Sequence, residues 1–280
     1  MKTHPGKIEQ QLQLKSSYWV YSDGLSMDYE DMEELLSEPH DKIIHDMELL
    51  IRDALDNHSI YEKLLNSPAG YVLFDPHFPV MAMLFLGEIK SEGSLPLVLE
   101  VLNKDPDWNN FWISEDNLDL LWEPLIHIGK NHLDQIDEFL MDPNTSYLAR
   151  SITGDALVQL ALNYSSSRQE IIDIYTRQIK SYIDRAISQN SQDRDHMGII
   201  VWKLVDLGSI ESLLLIRQVF DLKLIELDVL GDFKETKKIL LKNSENGSAK
   251  IIKEIMPLTD RHAWYWDNIN EEFEYFDEDD

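Results

Sequence analysis

Apolar positions recur at helical spacing through most of this 280-residue chain, and from about Pro76 to Ile239 they fall into helical hairpins that look like variants of one another. The recurring unit is an apolar helix ending near a glycine, a short polar turn and a second apolar helix: MAMLFLGEIKSEGSLPLVLEVL, then LLWEPLIHIGKNHLDQIDEFL, and later VWKLVDLGSIESLLLIRQVF. Laid over one another at the glycine, the three put Gly87, Gly129 and Gly208 where the first helix must stop, a place that suits a left-handed cap without a β-carbon. Gly87 and Gly129 are 42 residues apart (129 − 87), within the roughly 40–47 of two-helix repeats. The 79 residues from Gly129 to Gly208 (208 − 129) leave room for one further repeat without a glycine cap, SYLARSITGDALVQLALNY followed by RQEIIDIYTRQIKSYIDRAI. The pattern predicts an all-α chain built as an α-solenoid of helical hairpins, a fold whose usual work is to hold partners.

Residues 1–27 are mixed, with YWVY at 18–21 the one β-like cluster, and read as an arm or short cap. Residues 28–75 read as an N-terminal helical cap: Tyr29, Met32, Leu35 and Leu36 recur at helical spacing, and Ile44, Met47, Leu50, Ile51, Ala54 and Leu55 form a clearer stripe that Asp41 would cap. FDPHFP at 74–79 is a connector, because its two prolines do not fit inside a regular helix.

The repeat domain takes 76–242, with helices expected near 79–88, 94–102, 115–129 and 132–141. Asn144 or Thr145 would cap the next helix, which buries Leu148, Ile152, Leu157 and Leu160. Its partner, from Arg168 to Ile187, buries Ile171, Ile172, Tyr175, Ile179 and Ile183. After the polar connector QNSQDRD, the last repeat runs from about His196 to Phe220. Its second helix is expected to bury Ile210, Leu213, Leu214, Ile216 and Phe220 and to expose Glu211, Arg217 and Asp221. Residues 243–280 read as a flexible linker, KNSENGS, and an acidic tail spiked with aromatics, EEFEYFDEDD.

Charge changes the picture more than composition does. Fifty-two acidic residues against 25 basic ones give a formal net charge of −27, a field that repels phosphate backbones and argues against direct binding of nucleic acid. It points instead to a basic protein partner, or simply to solubility. No run approaches the roughly 18 unbroken apolar residues of a membrane span, and the start, MKTHPGKIEQQLQLKSS, lacks the apolar core of a secretory signal. The expected address is therefore cytoplasmic, with no membrane partner. The absence of cysteine rules out disulfides, thiolate nucleophiles and Cys-ligated zinc. The sequence leaves the oligomeric state open.

Two groups of residues are candidates for holding the partner. In stacked hairpins the second helices line the concave side, and their outward carboxylates here would be Glu100, Asp134, Asp137, Glu138, Glu170, Asp173 and Glu211, forming an acidic groove that steers a basic protein. The second group sits in the polar insert NKDPDWNNFWISEDN. There Trp108, Phe111 and Trp112, flanked by Asp105, Asp107, Glu115 and Asp116, either form a protein-binding lip or pack back onto the stack.

The block from Pro79 to Leu240, with FLGEIKSEGSLPLVLEVL, LLWEPLIHIGKNHLDQIDEFLMDP, YLARSITGDALVQLAL, LVDLGSIESLLLIRQVF and GDFKETKKIL, resembles a family of uncharacterised bacterial HEAT-like proteins known only as a domain of unknown function. The resemblance covers over half the chain and rests on structural motifs, so it implies a helical-hairpin scaffold and no particular chemistry. Some members carry a C-terminal SEC-C zinc motif; this chain departs from them, since it has no cysteine and an acidic tail stands in that place.

Routes to an enzyme are weaker. The nine histidines (His4, His40, His45, His58, His77, His127, His132, His196 and His262) form no HExxH, and the His-Glu dipeptides of HEAT-like iron hydroxylases do not occur. His40 with His45, and His127 with His132, are five apart, which puts each pair on different faces of a helix. No GxxxxGK[ST], GxGxxG or GxSxG is found. The reading is therefore a non-enzymatic scaffold with no cofactor and no metal. Its alternatives are an immunity or antitoxin protein that covers a basic nuclease, and a metal-dependent enzyme on a HEAT-like frame.

Overall fold

The segment FPVMAMLFLGE is apolar on every side, and a helix of that kind has no face to offer water. In the computed structural model it is the central helix of its half of the chain, Phe78–Glu88, with every residue from Phe78 to Gly87 buried. The structure describes residues 7–67, 74–114, 117–189, 194–225, 230–245 and 251–266. Among these the regular elements are all helical: α1 (Ser17–Asp23), α2 (Tyr29–Leu36), α3 (His40–Leu65), α4 (Phe78–Glu88), α5 (Leu95–Leu102), α6 (Pro106–Trp112), α7 (Trp122–Gly129), α8 (Leu133–Met141), α9 (Tyr147–Asn163), α10 (Arg168–Gln189), α11 (Arg194–Asp206), α12 (Leu213–Asp221), α13 (Phe233–Glu245) and α14 (258–266). The chain divides into two units, Met1–Ile128 with Ile255–Asp280, and Gly129–Glu254. The expected 76–242 block is thus split, and residues from the expected C-terminal tail join the first unit.

In the first unit α4 packs along α3, flanked by α1 and α6. The YWVY cluster, expected as β-like, lies in α1 with Val20 and Tyr21 buried. Around α4 the rings of Tyr21, Tyr61, Phe74, Phe78 and Trp112 pack with centroids 4.7–6.4 Å apart. The polar insert is not an irregular loop: Asp105 accepts the N–H of Trp108 at 3.0 Å and Pro106 opens the helix, so the Asp-Pro pair caps and starts α6. Its flanking Glu115 and Asp116 lie outside the described residues. The helix expected over 115–129 is shorter, a 3-10 turn at Leu118–Leu120 followed by α7.

The second unit is two layers of helices. Helix α11 packs on α9 and α13, while α10 packs on α8 and α12, and the layers meet where α10 contacts α9 and α11. Ser146, rather than Asn144 or Thr145, caps α9 by accepting the N–H of Ala149. The buried stripe expected on α10 is found as read, with Ile171, Ile172, Tyr175, Ile179 and Ile183 inside. On α12 the expected face is rotated: Ile216 and Val219 are buried, whereas Leu214 stands exposed at 82 %, and so does Ile210 in the 3-10 turn before the helix. KNSENGS reads as a linker, yet its first four residues, Lys242 to Glu245, belong to α13, and Asn243 donates to the Val205 carbonyl at 2.9 Å. Its remainder beyond Glu245, and the tail EEFEYFDEDD, lie outside the described residues.

One turn recurs, in a register different from that of the glycines. Lys90 (φ +57°) and Gly208 (φ +60°) are left-handed caps, each followed by a serine whose N–H reaches back to the helix, Ser91 to Leu86 at 2.9 Å and Ser209 to Leu204 at 3.0 Å. Each then makes a one-turn 3-10 helix closed by a serine pair, Ser91–Ser94 at 2.8 Å and Ser209–Ser212 at 2.7 Å. Lys90, not Gly87, is therefore the counterpart of Gly208. Gly87 lacks a side chain for another reason: a Cβ there would sit 2.7 Å from Pro124 Cα, so the glycine lets α7 approach α4.

Candidate functional site

The second-layer helices of the second unit gather most of the expected carboxylates. Asp134 and Glu138 are exposed on α8, and Glu170 and Asp173 are exposed on α10. Asp137 and Glu211 lie on the same layer, but each is already engaged. Arg177 donates to Asp137 through Nε at 2.9 Å and Nη2 at 2.6 Å, and Arg168 pairs with Glu211 at 3.2 Å. Asp173 accepts from Gln169 at 3.0 Å. Glu100 belongs to the first unit, where Arg52 binds it at 2.5 Å and Lys104 approaches to 3.8 Å. The face is thus acidic, with its charge concentrated on Asp134, Glu138, Glu170 and Asp173 and diluted where arginines reach across between helices.

The tryptophan lip is corrected. Trp108 is 4 % exposed and Trp112 0 %. Trp112 Nε1 donates to His58 Nδ1 at 2.9 Å, and its ring meets Phe111 edge-on at 4.6 Å between centroids. Once α6 forms, its apolar side faces α4, and rings of that size are most stable packed there.

Three features have no counterpart in the expectations. A shallow depression of about 400 Å³ in the first unit is lined by His45, Glu48 and Arg52 of α3 and by Pro96 and Leu97 of α5. Its polar groups are engaged by neighbours outside the lining, Glu48 accepting from Ser94 at 2.7 Å and Arg52 bound to Glu100. Second, α3 carries buried carboxylates. Asp46 accepts the N–H groups of Gln13 (2.8 Å) and Leu14 (2.9 Å), anchoring the N-terminal segment. Asp53 accepts from Asn57 at 2.8 Å and from the Tyr61 hydroxyl. Burial beside Asp53 and Tyr21 pushes the Tyr61 hydroxyl far up, and burial pushes Tyr21 up to about 12. The spacing 43, 46, 50, 53, 57, 61 puts these polar groups on the apolar stripe, which is the signal that marks them as interior.

The third feature is the second unit's buried polar core. Arg150 donates to the carbonyls of Thr145 (2.9 Å), Leu140 and Asp142, and its Nη1 lies 3.3 Å from His196 Nε2. Burial, with Arg150 and Arg185 nearby, lowers the His196 pKa to about 3. Lys203 pairs with Asp155, and burial raises the Asp206 carboxyl to about 6 against the opposing pull of Lys203.

No family model, curated protein or solved structure matches the chain. Among the described residues no three His, Asp or Glu side chains converge in a group that could hold a metal ion, and no helix is long and apolar enough to cross a membrane.

Proposed function

We propose that the chain is a non-enzymatic scaffold of HEAT-like helical hairpins, akin to the bacterial family it resembles, that holds a basic protein in the cytoplasm through the exposed side of α8, α10 and α12. The observation that carries this reading is the packing of α10 against both α8 and α12, which puts Asp134, Glu138, Glu170 and Asp173 on one layer. Exposed carboxylates on neighbouring helices speed encounter with a cationic surface, and screening by salt weakens the attraction. Two further facts support the hairpin scaffold: the second unit has two layers, and the cap-and-turn at Lys90 recurs at Gly208.

The test compares the wild-type protein with a variant carrying E138K, E170K and D173K. Proteins captured by the wild type are expected to be basic, to dissociate as salt rises from about 0.05 to 0.5 M, and to be lost by the variant. Acidic partners, or binding that neither salt nor charge reversal alters, would overturn the reading.

A further inference from the structure

The segment 255–266 lies against the first unit in a groove between α4, α7 and the turn at Leu25, held by a set of polar anchors. The N–H of Met256 donates to Glu123 Oε1 at 2.8 Å and the N–H of Leu258 to Glu88 Oε2 at 2.8 Å. Arg261 pairs closely with Glu123 and donates to the Met256 carbonyl at 2.7 Å. One turn on, His262 Nε2 and Trp266 Nε1 hydrogen-bond the Leu25 carbonyl at 2.6 Å and 2.9 Å, and the Tyr265 hydroxyl donates to Asn117.

The two sides of this contact are unequal. The walls adjoin the core: Glu123 on α7 is 1 % exposed, and the half-buried Glu88 ends α4, whose other residues, Phe78 to Gly87, are buried. The segment itself fully buries one apolar side chain, Leu258. An element with few buried apolar contacts opens at lower free energy than the core it rests on. Opening it would strip a buried carboxylate of its guanidinium. His127 Nε2, at 3.6 Å from the same Glu123 oxygen, is too far for a hydrogen bond. The emptied groove therefore selects a cation that arrives with its own backbone donors.

We propose that this groove is a peptide-binding site, filled in the resting chain by its own 255–266 segment and opened to a partner segment of the same chemistry: an apolar side chain three positions before an arginine, with an aromatic ring one turn beyond. This seat lies in the first unit and goes beyond the acidic layer of the second; it rests on the scaffold reading only in taking the partner to be a basic protein. The resident segment acts as a tethered competitor, so apparent affinity for the partner is set by the fraction of chains in which it is open.

Native-state hydrogen exchange on the full wild-type chain tests the idea, with a synthetic peptide of residues 255–266 as probe and the same peptide carrying Arg261→Ala as control. The amides of Met256 and Leu258 are expected to exchange at least roughly 100-fold faster than those of residues 84–87 in α4. Excess arginine peptide removes their remaining protection and leaves α4 unchanged; the alanine peptide does neither. A labelled arginine peptide also binds the full-length R261A chain at least about tenfold more tightly than the wild type.

Exchange of Met256 and Leu258 only at the rate of α4, equal behaviour of the two peptides, or a dimer formed by trading the segment between copies would overturn the proposal. If R261A does not fold, the wild-type exchange experiment decides alone. Salt-sensitive capture of a basic partner with the segment unmoved would keep the scaffold and discard this seat.

Discussion

Replacing Arg150 with alanine should cost the second unit about 3–5 kcal/mol, although the side chain sits in a chain crowded with exposed charge. Arg150 is 5 % exposed and donates to the carbonyls of Leu140, Asp142 and Thr145, at the C-terminal end of α8 and the turn that follows it. The Leu140 carbonyl lies in the last turn of α8, where a helix leaves its C=O groups without an intrahelical donor, while the Asp142 carbonyl also accepts the N–H of Thr145 at 3.1 Å. Three hydrogen bonds from a charged donor, taken at the low end of about 1.5 kcal/mol each, come to about 4.5 kcal/mol, and a cation at a helix C-terminus adds a few tenths to about 1 kcal/mol. Lysine cannot reproduce the planar fork, so R150K should recover less than about half of the loss.

The assay is urea unfolding combined with native-state hydrogen exchange, which reports α8 separately if the two units do not unfold together. His196 supplies an independent readout. Its pKa is held near 3 first by burial and then by Arg150 and Arg185, so it should rise in R150A and remain below the ordinary histidine range. A loss under about 1 kcal/mol, or R150K as stable as the wild type, would refute the argument from the carbonyl fork.

Asp206 sets a pH dependence. Its pKa is raised from 3.8 to about 6 by burial, so its contribution is full below about pH 4 and is lost as the carboxyl ionises towards pH 6. D206N should therefore flatten this stretch of a stability-against-pH curve and gain at most about 3 kcal/mol at pH 7.5; destabilisation there would count against it. The rotated face of α12 predicts that L214K changes stability by less than about 0.5 kcal/mol, whereas I216A costs about 2–4 kcal/mol in thermal or urea unfolding. The two caps should respond oppositely. K90G should stabilise by about 0.5–1 kcal/mol by relieving a left-handed lysine. G208A should cost more than about 2 kcal/mol, because a Cβ would fall 2.5 Å from Ser244 N; equal effects of the two substitutions would contradict the shared turn.

Periodicity alone carried the helices whose apolar pattern is dense. Helix α4 was expected at 79–88 and is found at Phe78–Glu88, and α10 buries the five residues read from its stripe. Errors arose where one residue type serves two physical ends. Gly87 looked like a cap, but its bare Cα makes room for Pro124, and the cap falls to Lys90, a residue with no visible preference for that conformation. The insert looked polar, yet Asp105-Pro106 is a helix start that could have been read as one. Ile210, in the 3-10 turn before α12, and Leu214 on α12 were apolar enough to be assigned inward, and only the packing of α10 and α13 against α12 decides which side is buried.

The candidate acidic residues were legible as charge. Their neutralisation was not, since Arg177 reaches Asp137 from 40 positions away and Arg168 reaches Glu211 from 43. The seat of 255–266 was invisible for the same reason, because composition marks that stretch as a tail and only distant partners make it part of a core.

The first unit is closed by contacts that reach far along the chain. The N–H of Met256 meets Glu123 across 133 positions, and that of Leu258 meets Glu88 across 170. A ribosome adding about 5–20 residues per second delivers these donors roughly 7–30 seconds after Glu123 has been made. Through that interval the second unit emerges whole and is free to fold, while the earlier-born unit waits with an unfilled carboxylate. The half of the protein translated first is thus the last to be finished, and a nascent-chain chaperone would meet it with its cation site vacant.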